Sequence, residues 1–157
     1  MNFMFMFAKN YCWLLLITGL NWKSKSFTAY HVTLYVTCGC EQLQRTDGLW
    51  YSAEYSTFSI SDEVSQYQLT VAGYSGDAGD AIAVNQYAVY RNNGRMFSTP
   101  DRDNDAWPTN NCANKSGWWY RRCSSSVINK DQRGAWTTVG APPLKDVETT
   151  RMLVKLN

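Results

Sequence analysis

The chain has 157 residues, 45% hydrophobic and 15% aromatic, which is enough for one modest domain with a buried core and too apolar for general disorder. Its 15 basic and 13 acidic residues give a formal charge of +2, with no single-sign field and no basic stripe interleaved with aromatics, so nucleic acid is excluded as the leading partner class. Five cysteines, an odd number, leave at least one thiol unpaired or paired outside the chain.

Residues 1–20, MNFMFMFAKNYCWLLLITGL, are apolar except for Asn2, Lys9 and Asn10. The run over residues 11–20 is about the size of a signal h-region and too short to span a bilayer. A cleaved secretory signal is the preferred reading, although Thr18 and Leu20 stand where a small-x-small exit is expected. An uncleaved anchor, the one route to membrane contact, and a stretch foreign to the domain are the alternatives. Residues 21–42 contain AYHVTLYVT, a candidate strand, but NWKSKSF before it and CGCEQ after it match nothing downstream.

From Leu43 onward, short alternating stretches are separated by Gly, Asn, Asp and Pro, the pattern of strands joined by turns. EYSTFSI alternates around Tyr55, Thr57 or Phe58, and Ile60, and YQLTVAGY places Tyr67, Leu69 and Val71 on one face, which predicts two neighbouring strands. YAVYRNNGRMFST carries Asn93-Gly94 between apolar runs and reads as a hairpin. RMLVKLN alternates Met152, Val154 and Leu156 and makes a closing strand. Only residues 62–66 and 77–84 suit a turn or two of helix.

The chemistry-bearing residues crowd into residues 97–123, FSTPDRDNDAWPTNNCANKSGWWYRRC. Asp101, Asp103 and Asp105 alternate in a Pro- and Asn-rich loop, where several oxygens can turn inward toward a hard cation such as Ca²⁺; a solvated acidic turn carries equal weight. An EF-hand is excluded by Ala106 at its sixth position and Cys112 at its twelfth. A nucleotide-sugar enzyme of the D-x-D type lacks its Gly-rich βαβ phosphate unit. Cys112 and Cys123 enclose 10 residues, and a bridge between them, if oxidised, contributes about 2–4 kcal/mol. Neither has a Cys or His at zinc spacing. Asn114, Lys115 and Ser116 form a glycosylation acceptor triplet. Trp118, Trp119 and Tyr120 suit either the core or a ligand surface, and since neighbours on a strand face opposite sides, one tryptophan could serve each. His31, the only histidine, lies outside this half and has no Ser or Cys partner motif, so nothing supports catalysis.

Taken together, these residues resemble the fibrinogen C-terminal domain, the fibrinogen-related domain of ficolins, tachylectins, angiopoietins and tenascins. The resemblance runs in order through WYSAEYSTFSISDE, YQLTVAGYSGDAGDA, FSTPDRDND, NNCA, GWWYRRC and RMLVKLN, and covers residues 43–157. It implies an α+β fold with a strongly twisted, mixed or mainly antiparallel sheet and long calcium- and ligand-binding loops, here lacking the family's N-terminal subdomain, with residues 1–42 in its place. It further implies Ca²⁺ held by the carboxylates of Asp103 and Asp105 with carbonyls near Trp107 and Thr109, a Cys112–Cys123 disulfide, a cis Arg122–Cys123 peptide, and ligand contacts from Arg122, Cys123 and Ser124. Ser124 stands where lectin members commonly carry His, and INK at residues 128–130 replaces the usual LNG. The segment after it is compressed and loses the tyrosines that wall the acetyl pocket, so the sugar specificity is open.

The function this implies is a secreted, extracellular, non-enzymatic, calcium-binding, lectin-like module for acetylated or other carbohydrate ligands in innate defence. A matrix or protein-partner module, or a non-functional truncated form, is the alternative; homo-oligomerisation is open. Without the N-terminal strands, the sheet is expected to expose an unpaired edge unless residues 30–37 pair there or a partner chain covers it. Cys12, Cys38 and Cys40 stay unassigned, since cysteines two apart on a strand leave little room for the bridge torsion.

Overall fold

The computed structural model describes residues 3–8, 34–83, 88–114, 116–128, 134–136 and 144–156. Strands β1 (Phe3–Ala8), β2 (Leu34–Arg45), β3 (Trp50–Ile60), β4 (Leu69–Gly76), β5 (Ser126–Val127), β6 (Gly134–Trp136) and β7 (Leu144–Leu156) form a seven-stranded sheet in the order β4-β3-β2-β7-β6-β5, with β1 alongside β7. Every pairing in it is antiparallel, the second of the two arrangements expected. The closing strand is longer than its predicted core: its 13 residues give β2 one edge, while β1 and β6 share the other.

The two predicted neighbours are present as β3 and β4, with Ile60 opposite Leu69 and Phe58 opposite Val71, all four buried. In β3 the buried positions pass from Ala53 and Tyr55 to Phe58 and Ile60, so the two-residue period slips once. The slip lies beside Gly73 of β4, which takes a φ of 68° and where a Cβ would collide with the Ser56 hydroxyl. An Asp-Gly turn joins β2 to β3: Gly48 takes a φ of 84° and Asp47 Oδ1 accepts the Leu49 amide at 3.1 Å.

Strand β2 lies between β3 and β7, with Leu34 opposite Ile60 and Val36 opposite Phe58. Residues 34–36 therefore supply pairing of the kind that the open edge required, and the strand runs through the residue 42/43 boundary without a break. The apolar run at residues 11–20, Cys12 and His31 lie outside the described residues. No helix among the described residues is long and apolar enough to cross a membrane.

Three local expectations are corrected. The Asn93-Gly94 turn joins no hairpin; it folds onto the free edge of β4, where Gly94 N–H donates to Leu69 O (2.8 Å), Leu69 N–H to Arg95 O (3.0 Å) and Val71 N–H to Asn93 Oδ1 (3.0 Å). Satisfying an edge strand's unpaired groups outweighed pairing the flanking apolar runs. Residues 62–66 form turns rather than helix, because Asp62 Oδ1 caps Ser65 N–H and the chain then enters positive φ at Gln66 and Tyr67. Residues 77–83 are bent by aspartate side chains: Asp77 Oδ1 accepts Ser52 N–H, and Asp80 Oδ1 accepts Ile82 and Ala83 N–H, competing with helical bonds. The one helical element among the described residues is a short 3-10 turn at Ala88–Tyr90.

The core is one cluster to which the strands contribute Leu43, Tyr55, Ile60, Leu69 and Val147, and the connecting segments Ile82, Trp118, Trp119 and Tyr120. Trp136 is fully buried and its Nε1 donates to the carbonyls of Ala78 and Gly79, both at 3.0 Å, so strand β6 also fastens the bend after β4.

Candidate functional site

The aspartate loop and the cysteine loop are joined by one side chain. Asp105 Oδ1 accepts Trp107 N–H at 2.6 Å and Asp105 Oδ2 accepts Cys112 N–H at 2.8 Å, so the carboxylate spans the turn and reaches the bridge. The second tie is Ala106 N–H to Arg121 O at 2.6 Å, on the far limb of the cysteine loop. Asp103 Oδ1 accepts Asp105 N–H at 3.1 Å. Asp101 is turned to its own loop, and a hydrogen bond from Thr99 holds its carboxyl below the ordinary aspartate range. Asn104 anchors the loop to the core by two donations, from its Nδ2 to Phe97 O (2.6 Å) and from its backbone N–H to Ser98 Oγ (3.1 Å).

Cys112 and Cys123 are disulfide-bonded, with Cα atoms 5.0 Å apart, the pairing that the resemblance implied. The Arg122–Cys123 peptide is trans, which corrects the cis expectation; the reversal of the chain is made instead by Cys123 itself, at a φ of 59°. Trp118 and Trp119 are 2% and 1% exposed, so neither offers a ligand surface. Their rings meet edge to face at 5.1 Å, Trp119 stacks edge-on against Phe97 at 5.0 Å, and Trp119 Nε1 donates to Tyr67 O at 2.8 Å. The expectation of opposite faces assumed a strand, whereas only an isolated bridge between Ser98 and Trp118 pairs this segment. Asn114 is exposed, as an acceptor site requires.

Of the residues assigned to ligand contact, Arg122 is exposed and its guanidinium lies 5.7 Å over the Trp107 ring, which brings the two loops' surface residues together. The Ser124 hydroxyl points the other way. It accepts from Asn92 Nδ2 (2.7 Å) and Ser126 N–H (3.0 Å) and donates to Asn92 Oδ1 (3.1 Å). Asn92 is fully buried and also donates to Trp119 O (2.6 Å) while accepting from Ser126 Oγ (2.7 Å). Sequence reading missed Asn92 and Ser126; their partners lie about thirty residues away, and an asparagine before Asn-Gly signals only a turn.

Each Asp105 oxygen accepts one amide and keeps a further lone pair, and Thr109 is exposed beside the turn in which Trp107 O accepts Asn110 N–H. Among the described residues no group of three or more His, Cys, Asp or Glu converges to hold a metal ion.

The family model described as "Fibrinogen beta and gamma chains, C-terminal globular domain" matches residues 17–139. Human fibroleukin is 38% identical over 89 residues, 55% of this chain and 20% of that protein; fibrinogen-like protein A of Apostichopus parvimensis is 42% identical over 93 residues, 56% and 30% respectively. Rat tenascin-R is 43% identical over 79 residues, 49% of this chain and 5% of that protein. The chain thus spans less than a third of these relatives. Among solved structures, the fibrinogen-like globe domain of human ANGPTL2 matches with a TM-score of 0.61 at 27% identity, covering 76% of this chain and 58% of that one. Lamprey fibrin D-dimer, complexed with a Gly-His-Arg-Pro-amide peptide, shares the fold with a TM-score of 0.61 at 23% identity, covering 75% and 45%.

Proposed function

The chain belongs to the fibrinogen C-terminal domain family, and on that premise we propose that it is a non-enzymatic, extracellular recognition module whose ligand surface is a calcium-steadied pair of loops. Asp103 and Asp105 supply the carboxylates for Ca²⁺, and the carbonyls of Trp107 and Thr109 complete its coordination with water. Arg122, with the backbone of Cys123 and Ser124, meets acetylated or other carbohydrate ligands. The observation that carries this reading is the Asp105 carboxylate bonded at once to Trp107 and Cys112: whatever orders the aspartate loop also orders the disulfide loop that carries Arg122. Calcium then acts on ligand binding without touching the ligand.

The test separates metal from scaffold. Calorimetry on the full chain should show calcium binding with a dissociation constant on the order of 10⁻⁴ to 10⁻³ M, and added calcium should raise the melting temperature. Asp103→Ala should abolish that rise while leaving the calcium-free melt nearly unchanged, because the side chain's recorded bond is one amide of its own loop. Asp105→Ala should abolish the rise and also lower the calcium-free melt, because two amides lose a charged acceptor. Full calcium affinity in the double mutant would return the cluster to a solvated turn.

A matrix or protein-partner module is the second reading, favoured by Ser124, whose hydroxyl is spent on Asn92 and Ser126 instead of being presented to a sugar. Glycan-array binding that free N-acetylglucosamine abolishes selects the first; binding confined to protein partners selects the second.

A further inference from the structure

The Asn114-Lys115-Ser116 acceptor triplet is split between two environments. Asn114 is exposed, whereas Ser116 is 8% exposed and its hydroxyl lies 2.9 Å from that of the fully buried Tyr120. The Tyr120 hydroxyl donates to Ser116 O at 3.2 Å, which leaves its oxygen to accept from the Ser116 hydroxyl. The backbone also turns here: Asn114 N–H donates to Asn111 O at 3.4 Å and Ser116 N–H to Ala113 O at 3.2 Å. Beyond Ser116, Gly117 packs so closely on Phe97 that an added Cβ would stand 3.0 Å from the ring. Trp118, Trp119 and Tyr120 then enter the core before Cys123 closes the loop on Cys112. The acceptor amide therefore faces solvent, while the hydroxyl that marks it as an acceptor is buried within the disulfide loop.

An oligosaccharyltransferase reads Asn-x-Ser by drawing the tripeptide out in extended form and bonding to the serine hydroxyl. In the folded chain that demand breaks the bonds of Ser116 to Tyr120 and to Ala113 and uncovers Tyr120. We propose that Asn114 is an N-glycosylation site open only until residues 112–123 are seated, so that glycan transfer precedes closure of the disulfide loop. The donor is a lipid-linked oligosaccharyl diphosphate. A bond forms from Asn114 Nδ2 to the sugar C1 as the C1–O bond to the diphosphate breaks. The leaving diphosphate keeps the electron pair, and the one proton lost by the amide balances the charge it gains. Folding afterwards hides the Ser116 hydroxyl and leaves the glycan on exposed Asn114, in the same loop as Arg122. The proposal rests on the extracellular reading only for the cell's delivery of the chain to such an enzyme.

The experiment incubates the purified full chain with a eukaryotic single-subunit oligosaccharyltransferase and a lipid-linked oligosaccharide, once oxidised and folded and once reduced and freshly diluted from denaturant. Peptide mass spectrometry then reads the glycan on Asn114. The reduced chain should be modified, and Ser116→Ala should abolish that. The oxidised chain should be modified more slowly by roughly tenfold or more, because the enzyme meets only the fraction in which the loop has opened. Glu63→Asn supplies the control: it creates a second Asn-x-Ser over residues 63–65, where Val64 and Ser65 are exposed, and that site should be modified at similar rates in both states. No glycan on Asn114 in the reduced chain, or equal rates there in the two states, overturns the proposal. So does an introduced site that folding blocks as fully as Asn114, since burial of Ser116 would then not be the cause. Because the assay supplies enzyme and donor directly, a chain found never to leave the cell would sink the extracellular reading and leave this result standing.

Discussion

Strands β2, β3, β4 and β7 and the connecting segments of residues 88–128 bury side chains in the same core, but different bonds hold them there. The strands are aligned by backbone ladders and need only a two-residue apolar period: Leu69 and Val71 on β4 and Phe58 and Ile60 on β3 are buried because they alternate. The loop segment has almost no ladder. It is held by side chains that reach backbone groups across long stretches of chain, such as Asn92 to Trp119 O, Trp119 Nε1 to Tyr67 O and Asp105 to Cys112 N–H, and by the Cys112–Cys123 bridge. A strand position is therefore replaceable by any side chain of similar shape, whereas most loop positions need one particular hydrogen-bonding group.

The largest effect expected from breaking this contrast is at Trp119. Trp119→Ala removes a fully buried ring, its edge contacts with Phe97 and Trp118, and the bond to Tyr67 O, and should cost about 3–5 kcal/mol in urea unfolding. A cost below ~1 kcal/mol would show that the loop segment folds independently of the sheet. Next comes the bridge. Cys112→Ser/Cys123→Ser should lose about 2–4 kcal/mol, and hydrogen exchange should rise first at the Trp107 and Cys112 amides that Asp105 holds; protection lost equally across β3 and β4 would contradict the division.

The smallest and most discriminating test lies in the sheet. Glu41 sits in β2 opposite Ala53 and Met152, 2% exposed, with both carboxyl oxygens buried and unbonded. Burial raises its pKa from 4.5 to about 8. Tyr55, on the same face, is pushed up by burial and then by the Glu41 and Asp80 charges, and donates its hydroxyl to Asp80, so it stays neutral throughout. Between pH 4.5 and about 8 the folded chain keeps a proton that the unfolded chain has released, so stability should fall as pH rises through that window. Glu41→Gln should flatten the slope, and Glu41→Met should flatten it while raising the midpoint, since it removes an unsatisfied buried group worth about 1–3 kcal/mol. A wild-type profile that is level or rises over this interval would mean that the carboxyl finds a partner in solution.

The strands were legible where their periodicity was. Tyr55, Ile60, Leu69 and Val71 announced two neighbouring strands, and Met152 a closing one, because a half-buried strand repeats every two residues regardless of what lies across from it. The ordered motifs carried the family and the disulfide. Strand β2 was only half legible: AYHVTLYVT suggested a strand, but CGCEQ hid its continuation, because a buried glutamate breaks the apolar pattern that a central strand otherwise shows.

Within the site, the sequence by itself placed the carboxylates and the two cysteines in one short stretch. Only the tertiary structure decided that Asp105 reaches Cys112, that both tryptophans point inward, that Ser124 turns to Asn92, and that Asn93-Gly94 covers β4 instead of making a hairpin. The physical reason is range. A period or a turn is fixed by interactions among residues a few positions apart, whereas the direction of a loop side chain is set by which buried donor or acceptor, tens of residues away, would otherwise lack a partner.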